Sequence, residues 1–280
     1  MCAFALVAAV ACAGKDQAST DTTTMGAQAG SAAAPAVVAV KASDFAFEAP
    51  AEIPSGLTTF KLTNDSKGFH HMLIVRLDSG KTLADLGEAM KKPGPFPVWA
   101  VPIGGPNAPS PTQESNATLD LQPGNYALLC LVDTPGGVPH FAKGMTRALT
   151  VTASTAPAAA APTADIAMSL KEYGFDLSKP VTAGPHTFEV RNTGAQDHEV
   201  EVVKLEPGKT ANDLVKWVLK PEGPPPGSAV GGALVGKTGA PVYFTADFAP
   251  GSYALICFIP DAKDGKPHYE HGMSLAFTVN

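Results

Sequence analysis

The chain has 280 residues, enough for two ordinary domains, and its net charge of −6 makes nucleic acid a poor partner. Hydrophobic residues make up 45% of it and charged residues 16%, which suits a globular protein and excludes a disordered one. The 27 glycines and 26 prolines imply many turns between short elements.

Residues 3–11 are almost wholly apolar and too short to span a bilayer, so residues 1–12 read as an export leader. Cys12, after Val7, Ala8, Ala9, Val10 and Ala11, resembles the lipid-acceptor cysteine of a bacterial lipoprotein signal. Two features depart from that pattern: Ala9 stands where such signals usually carry Leu, and no Lys or Arg precedes the apolar run. The expectation is a protein of the periplasm or cell envelope, held at a membrane through Cys12. A plain secretory leader cleaved elsewhere is the alternative. Residues 13–35, rich in Ala, Gly, Ser, Thr and Gln, read as a flexible tether.

Two similar segments follow, at 36–153 and 164–280, joined by an Ala- and Pro-rich linker at 154–163. In the first, period-two apolar patterns predict strands at 37–40, 59–64, 70–77, 117–121, 126–132 and 146–151. The second repeats them at 165–170, 187–192, 198–205, 242–248, 253–259 and 274–279. One helix interrupts each series, opening at Thr82 or Thr210 with Asp85 or Asp213 three residues on, close to a capping box. Gly80-Lys81-Thr82 and Gly208-Lys209-Thr210 are helix starts and not phosphate loops, because Val75 and Val203 stand where that motif needs glycine. The predicted class is all-β, two tandem Greek-key sandwiches with one short helix inserted in each.

The repeat is strongest where it carries chemistry. Pro123-Gly124-x-Tyr126-Ala-Leu-x-Cys130, then Pro139-His140, then Gly144-Met145 recurs as Pro250-Gly251-x-Tyr253-Ala-Leu-x-Cys257, Pro267-His268, Gly272-Met273, displaced by 127 to 128 residues. Strand alternation turns each cysteine the same way as Tyr126 and Leu128, or Tyr253 and Leu255, toward the interior. Cys2 and Cys12 fall in the leader, so Cys130 and Cys257 are the cysteines of the folded part; at matched positions in two copies, they read as free thiols. Ungapped alignment matches His70 with His198 and His71 with Glu199, which favours His70 as a further ligand with a one-residue ambiguity against His71. His186 and His271 have no counterpart and read as surface residues. Two imidazoles, a thiolate and a weak thioether suit copper, which alternates between a form that favours sulfur and one that accepts nitrogen; zinc rarely takes Met.

On these motifs both segments resemble cupredoxins, the blue-copper fold of plastocyanin, azurin and the copper nitrite reductases. The resemblance implies that His70, Cys130, His140 and Met145 bind one type 1 copper, and His198, Cys257, His268 and Met273 a second. It also implies outer-sphere electron transfer through His140 and His268, the edge usually exposed in the family, to a redox protein partner that the sequence does not identify. Many cupredoxins place Asn after the first histidine ligand; His71 and Glu199 stand here, which implies a looser or more polar site. Oxidase and nitrite reductase domains carry a histidine directly before the cysteine, where this chain has Leu129 and Ile256, and a trinuclear cluster takes eight histidines where this chain has 7. Neither loop carries the second cysteine of a dinuclear centre. The expectation is a protein that is not an enzyme, with a copper-handling envelope protein or a structural sandwich pair as alternatives.

Overall fold

The computed structural model describes Met1, residues 33–92 and residues 94–280. The leader after Met1, Cys12 and most of the 13–35 segment lie outside the described residues. The first repeat contains β1 (Ala36–Ser43), β2 (Ala46–Glu48), β3 (Glu52–Pro54), β4 (Gly56–Asn64), β5 (Leu73–Leu77), α1 (Leu83–Ala89), β6 (Ala100–Pro106), β7 (Glu114–Leu121), β8 (Gly124–Leu129) and β9 (Thr146–Thr152). The second contains β10 (Ile166–Lys171), β11 (Gly174–Leu177), β12 (Gly184–Asn192), β13 (His198–Leu205), α2 (Ala211–Leu219), β14 (Gly227–Val235), β15 (Val242–Phe248), β16 (Gly251–Ile256) and β17 (Ser274–Val279). Residues 153–165 between them carry neither helix nor strand.

Alternation builds the interior. Val38, Val40 and Ala42 of β1 and Phe60, Leu62 and Asn64 of β4 are buried while their neighbours face out. The Pro-Gly-x-Tyr motif closes the turn before β8 and β16: the Tyr126 phenol donates to the Gln122 carbonyl at 2.7 Å, and Tyr253 donates to Ala249 at 2.8 Å. Both helices have the capping box, with the Thr82 and Thr210 hydroxyls accepting the amides of Asp85 and Asp213 at 3.2 Å. Leu86 of α1 packs with Val75, Leu77, Ala127 and Leu129, and Leu214 of α2 packs with Val203, Leu205, Ala254 and Ile256. The helices thus cover the outer face of one sheet, which is why β5, β8 and β16 are apolar on both sides.

The two repeats are fused. One sheet has eight strands in the order β11-β10-β12-β15-β7-β4-β1-β2, and the other nine in the order β17-β16-β13-β14-β6-β5-β8-β9-β3. Both repeats lie within one compact unit, Ala32–Asn280. The joins are β14 against β6 and β15 against β7, where the Asn116 side chain exchanges two 2.9 Å hydrogen bonds with the Thr245 backbone. The seam strands β6 and β14 are absent from the sequence expectation because Gly104-Gly105 and Gly231-Gly232 resemble strand breakers. Their glycines are required by closeness: a Cβ on Gly105 would lie 2.0 Å from the Met72 carbonyl oxygen, and one on Gly232 would lie 1.9 Å from that of Val200. β5 also starts three residues later than the 70–77 prediction, leaving His70 and His71 in a loop.

Candidate metal centres

Cys130 follows the last residue of β8 and continues its inward face, fully buried beside Tyr126 and Leu128. The chain then doubles back. Asp133 bridges to Pro139, the His140 amide donates to the Val132 carbonyl at 2.9 Å, and the Phe141 amide donates to the Cys130 carbonyl at 2.8 Å. A 3-10 turn, His140–Lys143, ends on Gly144 at φ 102, a left-handed conformation that glycine adopts at little cost. Met145 is thereby returned to the cysteine: its amide donates to the His140 carbonyl at 3.0 Å and its carbonyl accepts the Cys130 amide at 3.3 Å. The second repeat reproduces each step, with His268 bonded to Ile259, Tyr269 to Cys257, Gly272 at φ 99, and Met273 bonded to both His268 and Cys257. Both methionines are fully buried.

The remaining histidine comes from the loop after β4. Buried Asn64 folds that loop, donating to the carbonyls of Gly68 at 2.7 Å and Pro109 at 3.1 Å while its side-chain oxygen accepts the Ser66 amide. Asn192 does the same with Gln196 and Val235. Asn64 and Asn192 each stand six residues before a matched histidine, His70 or His198, and that common spacing is the sequence signal of their role.

In the first repeat His70 Nδ1 and His140 Nδ1 are 3.0 Å apart, and Cys130 Sγ lies 3.5 Å from His140 Nδ1 and 3.9 Å from His70 Nδ1. In the second, His198 Nδ1 and His268 Nδ1 are 3.1 Å apart and Cys257 Sγ is 3.4 Å from His268 Nδ1. All donor atoms of each trio lie within 4.8 Å of one another. Bonds of about 2.0 Å to nitrogen and about 2.3 Å to sulfur would set such donors roughly 3.5–3.7 Å apart; the sulfur–nitrogen separations bracket that range, and the paired imidazole nitrogens lie closer than it, at 3.0 and 3.1 Å. The donor sets therefore fit a resident metal, and sulfur with two imidazoles makes copper the metal they fit.

The electrostatics agree. Burial, reinforced by the neighbouring imidazole, lowers His70 and His198 to about 4, so both are neutral near pH 7 with a lone pair available. Burial also lowers His140 and His268 and pushes the Cys130 thiol up to about 12, with Cys257 raised further. Each sulfur is thus a thiol until a cation displaces its proton. The Nε2 atoms of His70, His198 and His268 are buried without a hydrogen-bond partner, each facing a carboxylate at 3.8–3.9 Å: Asp44, Glu172 and Asp261 respectively.

His71 is not with the trio. Its Nε2 accepts the Leu131 amide at 2.8 Å, and in the second repeat Glu199 Oε1 accepts the Phe258 amide at the same distance. The expectation of a looser site is thus corrected, because these side chains tie the histidine loop to the residue after each cysteine. His186 is also corrected: it is buried and bonded to Asp165 at 2.6 Å, whereas His271 is exposed. Nor do His140 and His268 form an exposed edge, at 6% and 0% exposure. Phe45 stands edge-on over His140 at 5.1 Å and Tyr173 over His268 at 5.6 Å. Both covering residues sit at positive φ, 59° and 64°, in the matched β1–β2 and β10–β11 turns.

No family model matches the chain, and no curated protein matches it. Among solved structures, reduced auracyanin from Roseiflexus castenholzii is 22% identical, aligning 42% of this chain with 98% of its own at a TM-score of 0.28. A blue copper oxidase from Nitrosomonas europaea is 12% identical, with coverages of 87% and 84% and a TM-score of 0.26. A copper-containing nitrite reductase from Thermus scotoductus is 10% identical, covering 87% of this chain and 61% of its own, with a TM-score of 0.23. The expectation that the chain is not an enzyme is corrected here, since the neighbours that extend over both repeats include these two enzymes. Two fused sandwiches, each with a His-Cys-His trio behind a Gly-Met turn, make the chain a tandem cupredoxin-fold protein.

Proposed function

We propose that the chain is an exported electron-transfer protein with two type 1 copper sites, His70, Cys130, His140 and Met145 in the first repeat and His198, Cys257, His268 and Met273 in the second. The observation that carries this reading is the convergence of two Nδ1 atoms and one Sγ in each repeat, on loops held by backbone hydrogen bonds. Copper bound there would supply one-electron redox chemistry at a thiolate. The chain's own part is to hold the donors. Backbone bonds from Met145 to His140 and Cys130 fix the thioether side, while His71 and Asn64 fix the histidine loop. Burial excludes water, and a shell that does not move keeps the reorganisation on electron transfer small.

Export and attachment through Cys12 rest on the apolar leader, and electrons would pass to a redox protein at the faces of Phe45 and Tyr173. The test is to load residues 33–280 with Cu(II) and record the visible spectrum together with the metal content. An intense thiolate charge-transfer band at about two coppers per chain, halved by Cys130→Ser and by Cys257→Ser separately, is the expected result. Copper bound without such a band would point to metal handling, and no copper would sink the proposal.

A further inference from the structure

The side chain that ties the ligand loop in the second repeat also reaches into the first. Glu199 is 3% exposed; its amide lies 3.4 Å from Cys257 Sγ, and its Oε1 accepts the Phe258 amide at 2.8 Å. The other carboxylate oxygen, Oε2, accepts Asn107 Nδ2 at 3.1 Å across the seam. Asn107, 2% exposed, follows β6 and is held on every side. Its amide donates to Gly232 at 3.1 Å, Nδ2 also donates to Val200 at 3.2 Å, Oδ1 accepts the Ala108 amide at 2.9 Å, and its carbonyl accepts the Ser115 hydroxyl at 2.6 Å. With no freedom to turn, the amide aims one donor at one carboxylate oxygen. The first repeat lacks the equivalent: His71 bonds to Leu131 of its own repeat, and among the described residues no hydrogen bond joins it to the second repeat.

We propose that Asn107 is a positioning residue for the second copper site. Through Glu199 the first repeat orients the Cys257–Phe258 segment, by a side-chain hydrogen bond across the seam that has no counterpart at His71 among the described residues. The argument rests on the reading of Cys257 as a copper ligand. Removing the Asn107 donor leaves Oε2 desolvated and unpaired, a state that a buried carboxylate escapes by rotating or by admitting water. Either escape loosens the Phe258 bond and with it the chain on which the sulfur sits.

The test is Asn107→Leu in the full chain, read in two ways. In the metal-free protein, exchange of the Phe258 amide should accelerate about tenfold, the loss of one buried hydrogen bond, while the Leu131 amide keeps its rate. In the copper-loaded protein, the charge-transfer band and reduction potential should shift in a Cys130→Ser background, which isolates the second site, and stay fixed in a Cys257→Ser background. Should Asn107→Leu not fold, Glu199→Gln keeps the acceptor for Phe258 and turns a donor toward Asn107, with the same local effects expected. Equal acceleration at Phe258 and Leu131, or none at either, would overturn the proposal, as would an unmoved second-site spectrum. If the Cys130→Ser parent shows no thiolate band, the copper reading fails, and the amide exchange alone decides the positioning role.

Discussion

Gly105→Ala probes whether the seam and the first site share one piece of backbone. Gly105 sits at φ +148, and an added methyl would lie 2.0 Å from the carbonyl oxygen of Met72, two residues past His70. The conformation alone costs an L-residue about 1–3 kcal/mol. Relieving so close an approach to backbone adds an overpacking cost of about 1–3 kcal/mol, because no rotamer change can move a carbonyl aside. Gly56→Ala is the internal control, since φ is +120 there and nothing lies within 4 Å of the added methyl. Urea unfolding of the metal-free chain should therefore show Gly105→Ala losing about 2–6 kcal/mol and Gly56→Ala about 1–3 kcal/mol. Gly232→Ala, facing the Val200 carbonyl at 1.9 Å, should match Gly105→Ala. If Gly105→Ala and Gly56→Ala lose the same amount, the close approach of β6 to the Met72 carbonyl is not a constraint and the prediction fails.

Three further outcomes are expected. Between about pH 7.5 and pH 9, above the ordinary imidazole range from which burial lowers all four ligand histidines, those histidines are neutral and the thiols protonated, so each Cu(II) bound should release one proton and affinity should rise about tenfold per pH unit; calorimetry in buffers of different ionisation heat reads this, and zero protons released would refute it. His71→Ala should keep a thiolate band but broaden it and speed exchange of the Leu131 amide, whereas His70→Ala should abolish the first-site band; identical spectra for the two variants would restore the one-residue ambiguity. Burial and the neighbouring Glu199 raise Glu201 well above a normal carboxyl, and its Oε1 has no partner. A group whose folded pKa is raised contributes stability present below its unfolded pKa and lost as pH rises through the folded one. Glu201→Gln should accordingly stabilise the metal-free chain by about 1–3 kcal/mol at pH 9 relative to its effect at pH 5, read from urea midpoints.

Much of the site was legible because its ligands are doubled: two copies of Cys, Pro-His and Gly-Met at matched offsets select the residues that the structure gathers. The strands with clean alternation, such as β15 and β17, fall where the pattern puts them. Two kinds of feature were hidden. β6 and β14 carry glycine pairs whose purpose is contact with a neighbouring backbone, and single-chain periodicity scores such glycines as interruptions. Asn107 and Glu199 are 92 residues apart, and no local pattern announces a hydrogen bond between repeats. His71 was misjudged, and the places of Phe45 and Tyr173 over the histidines were not foreseen, for a related reason: their roles depend on which loop the fold lays against them.

The sharing of β6 and β14 has a bearing on how such a chain can be taken apart. Each is hydrogen-bonded to a strand of its own repeat on one side and to the other repeat on its second side. Cutting the chain at 154–163 would strip that second side from both halves, leaving a row of unpaired amides and carbonyls of the kind that templates unwanted strand addition. The duplication thus works as mutual edge protection, each copy acting as the guard strand of its twin, and a separated half would be a self-associating fragment instead of a miniature of the whole.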